Sequence, residues 1–157
     1  GDVPLDIWGA RNPGYFQRLA NHQPVWIPND GRALVQPVHV RDLARGFRQA
    51  IECDKASGEI YNLSSERAVT LTGYAHLAAE LLGSRSSFRH VSMDEILATG
   101  KAHEAGLRFL CEHMCIDSSK ARRDLGYRPE IGLRRSLRES LDWMVRTHLL
   151  RATVATE

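Results

Sequence analysis

The densest run of possible ligands in this 157-residue chain is Cys111-Glu112-His113-Met114-Cys115. Thiolate and imidazole are zinc ligands, and a zinc site wants four of them convergent. On a helix, Cys111 and Cys115 would share a face one turn apart while His113 points elsewhere. The usual C-x-x-C knuckle is missing, so no metal ligand is assigned. The second constellation is basic: Lys120, Arg122, Arg123, Arg128, Arg134, Arg135 and Arg138. Such a cluster could contact nucleic-acid phosphates. Asp117, Asp124, Glu130, Glu139 and Asp142 are interleaved with it, so a solvated, self-paired helical surface is the plainer reading.

Composition sets the bounds. Hydrophobic residues make up 43% and charged residues 25%, which suits a globular chain with a real core. The net charge of +2 neither demands nor excludes a polyanionic partner. The three cysteines (Cys53, Cys111, Cys115) form no even disulfide framework. Free thiols in a reducing cytoplasm are expected. No apolar run approaches the roughly 18–20 residues needed to span a bilayer. Acids stand where a signal peptide would be basic, so no export signal is expected at Gly1 to Ile7. The absent initiator Met points to an expression remnant or an excised segment.

The elements that must position these residues alternate in type. Asn12-Pro13-Gly14 is a turn signal, with a short helix following from Tyr15 to Ala20. Pro24 to Pro28 reads as a strand bracketed by prolines, which favour an edge. Asn29-Asp30-Gly31 is a tight turn. Leu34 to Val40 is a second extended stretch. A helix is predicted from Arg41 to Cys53, with Val40, Leu43, Ala44, Phe47, Ala50 and Ile51 on its inward face. Glu59 to Ser64 reads as a strand, buried on at least one face.

Thr70 or Thr72 can cap a helix over 72–82, with Gly83 in the left-handed position after it. Ser87 to Val91 is a strand, Met93 to Ala98 a short helix and Glu104 to Met114 another. Asp117 can cap a helix over 118–125, ended by Gly126. A last helix runs over 133–148, with Leu137, Leu141, Met144 and Val145 as its buried stripe. One domain is expected over 1–150, with a frayed tail over 151–157. The fold class is mixed α/β, with too few strands for a complete Rossmann sheet.

Five segments, in order, resemble the extended short-chain dehydrogenase/reductases, the NAD-dependent epimerase/dehydratase family. Asp6 to Pro13 resembles the end of their sixth sheet strand and the loop into the substrate lobe. Pro24 to Gly31 resembles the strand lying against the bound sugar nucleotide. Val38-His39-Val40-Arg41-Asp42-Leu43-Ala44 resembles the strand-to-helix junction in which Asp caps or braces the following helix. Ser57 to Ser64 resembles the strand returning to the nucleotide-binding sheet. Asp117 to Pro129, then Leu133 to Trp143, resemble the closing helix, turn and terminal helix. The resemblance covers residues 6–148. It implies the C-terminal, substrate-binding lobe with an incomplete part of the Rossmann sheet.

The same resemblance implies what this chain does not carry. The family holds NAD or NADP on a glycine-rich turn at a helix N-terminus, and no such motif occurs here. Its catalytic pair is Tyr followed four residues later by Lys, which lowers the phenol's pKa. Four residues after Tyr15, Tyr61, Tyr74 and Tyr127 stand Leu19, Ser65, Ala78 and Ile131. No catalytic residue is assigned, and no cofactor is expected on this chain alone.

For substrate contacts the resemblance singles out Val25, Trp26 and Ile27, where an aromatic could stack on a base; core packing is the alternative. Many sugar-nucleotide epimerases carry a diphosphate-pairing Arg three residues before the position matching Val38. Here Val35 stands there, followed by Gln36, and a neutral side chain cannot replace a guanidinium. Arg32, on the preceding turn, is the candidate to compensate. Arg108 and His113 fall where relatives have a second anion-binding segment, with ordinary surface roles as the alternative. For His39, a structural hydrogen bond is expected rather than catalysis.

The expected function is therefore the substrate-binding part of an NAD(P)-dependent epimerase, dehydratase or reductase acting on a nucleotide-sugar-like substrate. Its expected partner is a separate N-terminal nucleotide-binding half. A nucleic-acid-binding module on the same scaffold, like the plastid stem-loop RNA-binding proteins, is the alternative. Self-association through an exposed strand edge is a third reading.

Overall fold

The structure is a computed structural model, and it describes residues 13–100 and 102–154. The expected strand end and loop at Asp6 to Asn12 lie outside the described residues. The chain first forms α1 (Gly14–Ala20), β1 (Val25–Pro28) and β2 (Leu34–Val35). Then come α2 (Val40–Ile51), a 3-10 turn at Asp54–Ala56, β3 (Val69–Thr70), α3 (Leu71–Leu81) and β4 (Phe88–Val91). Four helices complete it: α4 (Met93–Ala98), α5 (Glu104–Cys111), α6 (Ser119–Leu125) and α7 (Leu133–Arg146).

The class is mixed α/β, as expected. β1 pairs in parallel with β4, with Val25 opposite Phe88 and Pro28 opposite Val91. β2 and β3 form a separate antiparallel pair. Pro24 and Pro28 hold β1 to four residues, because proline donates no ladder bond. All four β1 residues are buried. Val25 and Ile27 join the main core with Tyr15 and Phe16 of α1, Leu71 and Ala75 of α3, and Leu137 and Leu141 of α7. The alternation of a strand sends Trp26 to the other side, into a second cluster with Val91, Ile96 and Leu107.

Helix ends follow the sequence closely. The Thr70 hydroxyl accepts from the Gly73 amide at 3.0 Å, capping α3. Gly126 follows α6 at φ 69°, the left-handed region that glycine enters without a Cβ penalty. Asp117 Oδ1 accepts from the Ser119 amide at 2.8 Å, at the start of α6. α5 stops at Cys111, three residues short of the expected end, so Cys111 and Cys115 do not share a helical face.

Three expectations are corrected. The inward face predicted for α2 is largely the outward one: Val40 is 70%, Phe47 60% and Ile51 85% exposed, and Ala44 is exposed too. Asp42 and Gly46 are the buried positions. The periodicity identifies an amphipathic helix but not which side this chain covers. Second, Glu59 to Ser64 joins no sheet among the described residues, and Ile60 is 85% exposed. No strand among the described residues lies beside it to complete a ladder. Third, within the expected tail the described residues 151–154 are held to the rest of the structure. Arg151 accepts from Gln17 Nε2 through its carbonyl and donates its amide to Gln17 Oε1 at 2.9 Å. Ala152 and Val154 pack on the core.

Candidate functional site

β1 and β4 run parallel, so their C-terminal ends lie together, where open α/β sheets place ligands. The chain leaves β1 through Asn29 (φ 52°) and Gly31 (φ 68°). The Asn29 amide donates to the Val91 carbonyl at 2.7 Å, and its side-chain oxygen accepts from the Met93 amide at 3.0 Å. Both strand ends are thereby tied to the start of α4. A Cβ on Gly31 would stand 2.1 Å from Thr72 Oγ1, so glycine is required there by space as well as by φ. Thr72 Oγ1 donates to the Gly31 carbonyl at 3.2 Å and lies 3.4 Å from His90 Nε2. Sequence reasoning missed Thr72 and His90, which meet only through the sheet register.

The expected contact residues divide by environment. Val25 and Ile27 are fully buried, and Trp26 is buried against Ile96 and Leu107. Arg32 projects outward, with its side chain 84% exposed and 3.9 Å from Asp30 Oδ2. Gln36 is a bracket: its Nε2 donates to the Ser65 carbonyl and its Oε1 accepts from the Ile116 amide, each at 2.6 Å. It ties β2 to the segments after residue 64 and before α6. Arg108 pairs with Glu104 one helical turn away, at 2.8 Å, on the exposed side of α5. His113 Nδ1 accepts from the Leu34 amide at 3.3 Å, which fixes its ring beside β2. The next amide, Met114, donates to the Leu34 carbonyl at 2.7 Å. The structure thus gathers the β1–β2 turn, β2 and the end of α5. Trp26 is buried and Gln36 half-buried; Arg32, Arg108 and His113 are exposed.

A second polar centre sits at the start of α2. His39 is buried; its Nδ1 accepts from the Arg41 amide at 3.1 Å and caps the helix. An accepting Nδ1 puts the ring proton on Nε2, which then donates to Glu139 Oε2 of α7 at 3.1 Å. Glu139 also takes Arg41 and Arg135. The Arg135 hydrogen bond foremost, then the charge of Arg41, holds its carboxyl below the usual range. Asp42 does not cap α2, as the resemblance allowed. It is fully buried and accepts from the amides of Glu130 (3.1 Å) and Ile131 (2.9 Å), bracing the approach to α7. Arg45 pairs with it and with Glu130.

The basic region is largely self-paired. Lys120 pairs with Glu59, Arg123 with Asp124, Arg134 with Glu80 and Arg135 with Glu139. Lys120 also stands 4.8 Å over the Tyr61 ring. Among the described residues no group of three or more His, Cys, Asp or Glu could hold a metal ion. No helix among them is long and apolar enough to cross a membrane. Among the described residues no strand leads through a glycine-rich turn into a helix.

This fold is that of part of the NAD-dependent epimerases and dehydratases, the extended short-chain dehydrogenase/reductase class, whose solved structures match it with TM-scores of 0.62–0.70. The chain is 33% identical over 143 residues to the chloroplast stem-loop binding protein of 41 kDa b of Arabidopsis thaliana, covering 87% of this chain and 37% of that protein. It is 26% identical over 131 residues to a dTDP-glucose 4,6-dehydratase of an Actinoplanes strain, covering 83% and 37%. UDP-glucuronic acid 4-epimerase from Bacillus cereus, in complex with UDP-glucuronic acid and NAD, matches with a TM-score of 0.66 at 18% identity, covering 85% and 38%. No family model matches the chain. The chain therefore spans little more than a third of the length of these curated relatives.

Proposed function

We propose that this chain is the substrate-binding part of an NAD(P)-dependent epimerase, dehydratase or reductase, that its substrate is nucleotide-sugar-like, and that it is catalytically incomplete alone. The observation carrying this reading is the joint match, in sequence and in fold, to a sugar-nucleotide dehydratase and epimerase over nearly the whole chain. The exposure of Arg32, Arg108 and His113 supports an anion-binding role for them. Arg32 and Arg108 have exposed guanidinium groups that a diphosphate could draw from Asp30 and Glu104. Val25, Trp26, Ile27 and Gln36 would form the floor and its bracing. The acid–base pair and the dinucleotide would belong to a separate nucleotide-binding half. Three free cysteines suit a reducing compartment such as the cytoplasm.

The test is calorimetric titration of the chain with UDP-glucuronic acid and dTDP-glucose. Saturable binding that weakens several-fold in Arg32→Ala and Arg108→Ala is expected. No binding of either ligand, or binding indifferent to both substitutions, overturns the assignment of these residues and of the substrate class.

A further inference from the structure

An open groove of about 1010 Å³ lies between the start of α2, one side of α7 and the tail, and none of the residues assigned to substrate lines it. Positions 139, 142, 143 and 146 follow the three- and four-residue spacing that puts side chains on one face of a helix. On α7 these are Glu139, Asp142, Trp143 and Arg146, and all four line the groove. Val145, with Val40 of α2 and Val154 of the tail, gives it apolar walls. Trp143 is 46% and Val40 70% exposed. Glu139 is occupied by His39, Arg41 and Arg135. Asp142 and Arg146 differ: among the described residues neither has a hydrogen-bond or ion-pair partner. An acid four residues from a base ordinarily pairs along a helix, as Glu104–Arg108 and Arg135–Glu139 do here. The Asp142 and Arg146 charges stay open instead, on the same face as the half-exposed indole.

The symmetry of this face points to its occupant. Asp142 and Arg146 stand at equal distances either side of position 144. A second α7 laid antiparallel across the first, about a two-fold axis at that level, brings Asp142 to the partner's Arg146 and Arg146 to the partner's Asp142. Two ion pairs then form from groups that have none in the single chain. The same rotation sets Trp143 level with the partner's Val145. Self-complementarity of this kind, residue i meeting j and j meeting i, is what a two-fold contact requires. Charge agrees with it: Arg41 and Arg146 balance Glu139 and Asp142 in the groove lining, so two copies of the face do not repel each other. We propose that this face of α7 is a two-fold contact surface and that its occupant is a second copy of the chain. The inference is independent of the substrate reading above. With 14 residues at ~1.5 Å each, α7 offers a strip about 21 Å long, at the small end of specific interfaces. A dimer that dissociates at micromolar rather than nanomolar concentration is therefore expected.

The experiment is sedimentation equilibrium of the full chain over about 1 μM to 1 mM, the span of weak contacts. A reversible monomer–dimer equilibrium is expected. Trp143→Ala should weaken the dimer by about tenfold or more, as for an aromatic anchor at an interface centre. Arg146→Asp sets carboxylate against carboxylate at both ends of the contact and should weaken it as much. Asp142→Arg combined with Arg146→Asp exchanges the two charges and rebuilds both pairs across the axis. That double variant should return to within about threefold of the unaltered chain, a rescue that damage to the fold would not produce. Arg146 is exposed and Asp142 half-buried, and unchanged circular dichroism verifies that the variants fold. Phe47→Glu, exposed on α2 and outside the groove, should leave the dimer within about twofold. A chain that stays monomeric throughout overturns the second copy as occupant. A dimer indifferent to Trp143→Ala and Arg146→Asp, or one abolished by Phe47→Glu, overturns the α7 surface. Failure of the charge exchange to restore what Arg146→Asp loses overturns the two-fold register.

Discussion

Asp42 is the side chain on which most local order converges. Three donors meet its buried carboxylate: the amides of Glu130 and Ile131 and the guanidinium of Arg45. Removing an acceptor leaves buried donors unsatisfied, which costs far more than the bond itself contributes. Asp42→Ala is expected to lower stability by about 3 kcal/mol in urea unfolding, near the range for a broken buried ion pair. Asp42→Asn, which keeps one accepting oxygen, should lose less. Titration tests two other side chains. Glu139 has a depressed carboxyl, so the unfolded chain binds its proton first. Its contribution is present above the unfolded value of about 4.3 and is lost as pH falls through the lower folded value. Thermal midpoints measured down an acid series should drop less steeply in Glu139→Gln. Burial, with the Tyr74 charge second, pushes the Tyr15 phenol well above its usual value. Its contribution holds below about pH 10 and fades as the pH rises toward the folded value, which Tyr15→Phe should abolish.

Elements were legible where the signal is local. The Thr70 cap and the left-handed Gly126 are properties of a few adjacent residues, and both were readable. The His39 cap was not, because Ser, Thr, Asp and Asn are the usual side chains there and the imidazole needs Glu139, 100 residues away, to hold its ring. Gln36 and His113 were legible as positions but not as brackets, since their partners are backbone groups far along the chain. The direction of α2 failed for a related reason: an amphipathic pattern states that one side is covered, without naming the cover. Gly46 is the clue that reads correctly in retrospect, because a small residue in a helix can mark close approach. Gly46→Val should cost roughly 1–3 kcal/mol by driving a methyl into Leu63 and Tyr127, measurable by the same urea titration.

At the scale of the molecule, the pairing of Lys120, Arg123, Arg134 and Arg135 with carboxylates leaves a mixed surface rather than a basic one. Titration of stem-loop RNA at physiological salt should therefore give no more than non-specific affinity, weaker than about 1 μM, and steeply lost on adding salt. Salt-tolerant nanomolar binding would revive the nucleic-acid reading. The Gln17–Arg151 pair has a topological consequence. It fastens the first described helix to the residues beyond the last one, through two backbone contacts 134 positions apart. The path from α1 to the tail is thus a nearly closed ring. A ring of that kind can be cut elsewhere, and Gly58, at φ 74° with open space around its Cα, is the natural place. A permuted chain opened beside Gly58 and joined across the old ends should keep the same core, making the lobe a cassette that can be carried on either side of another domain.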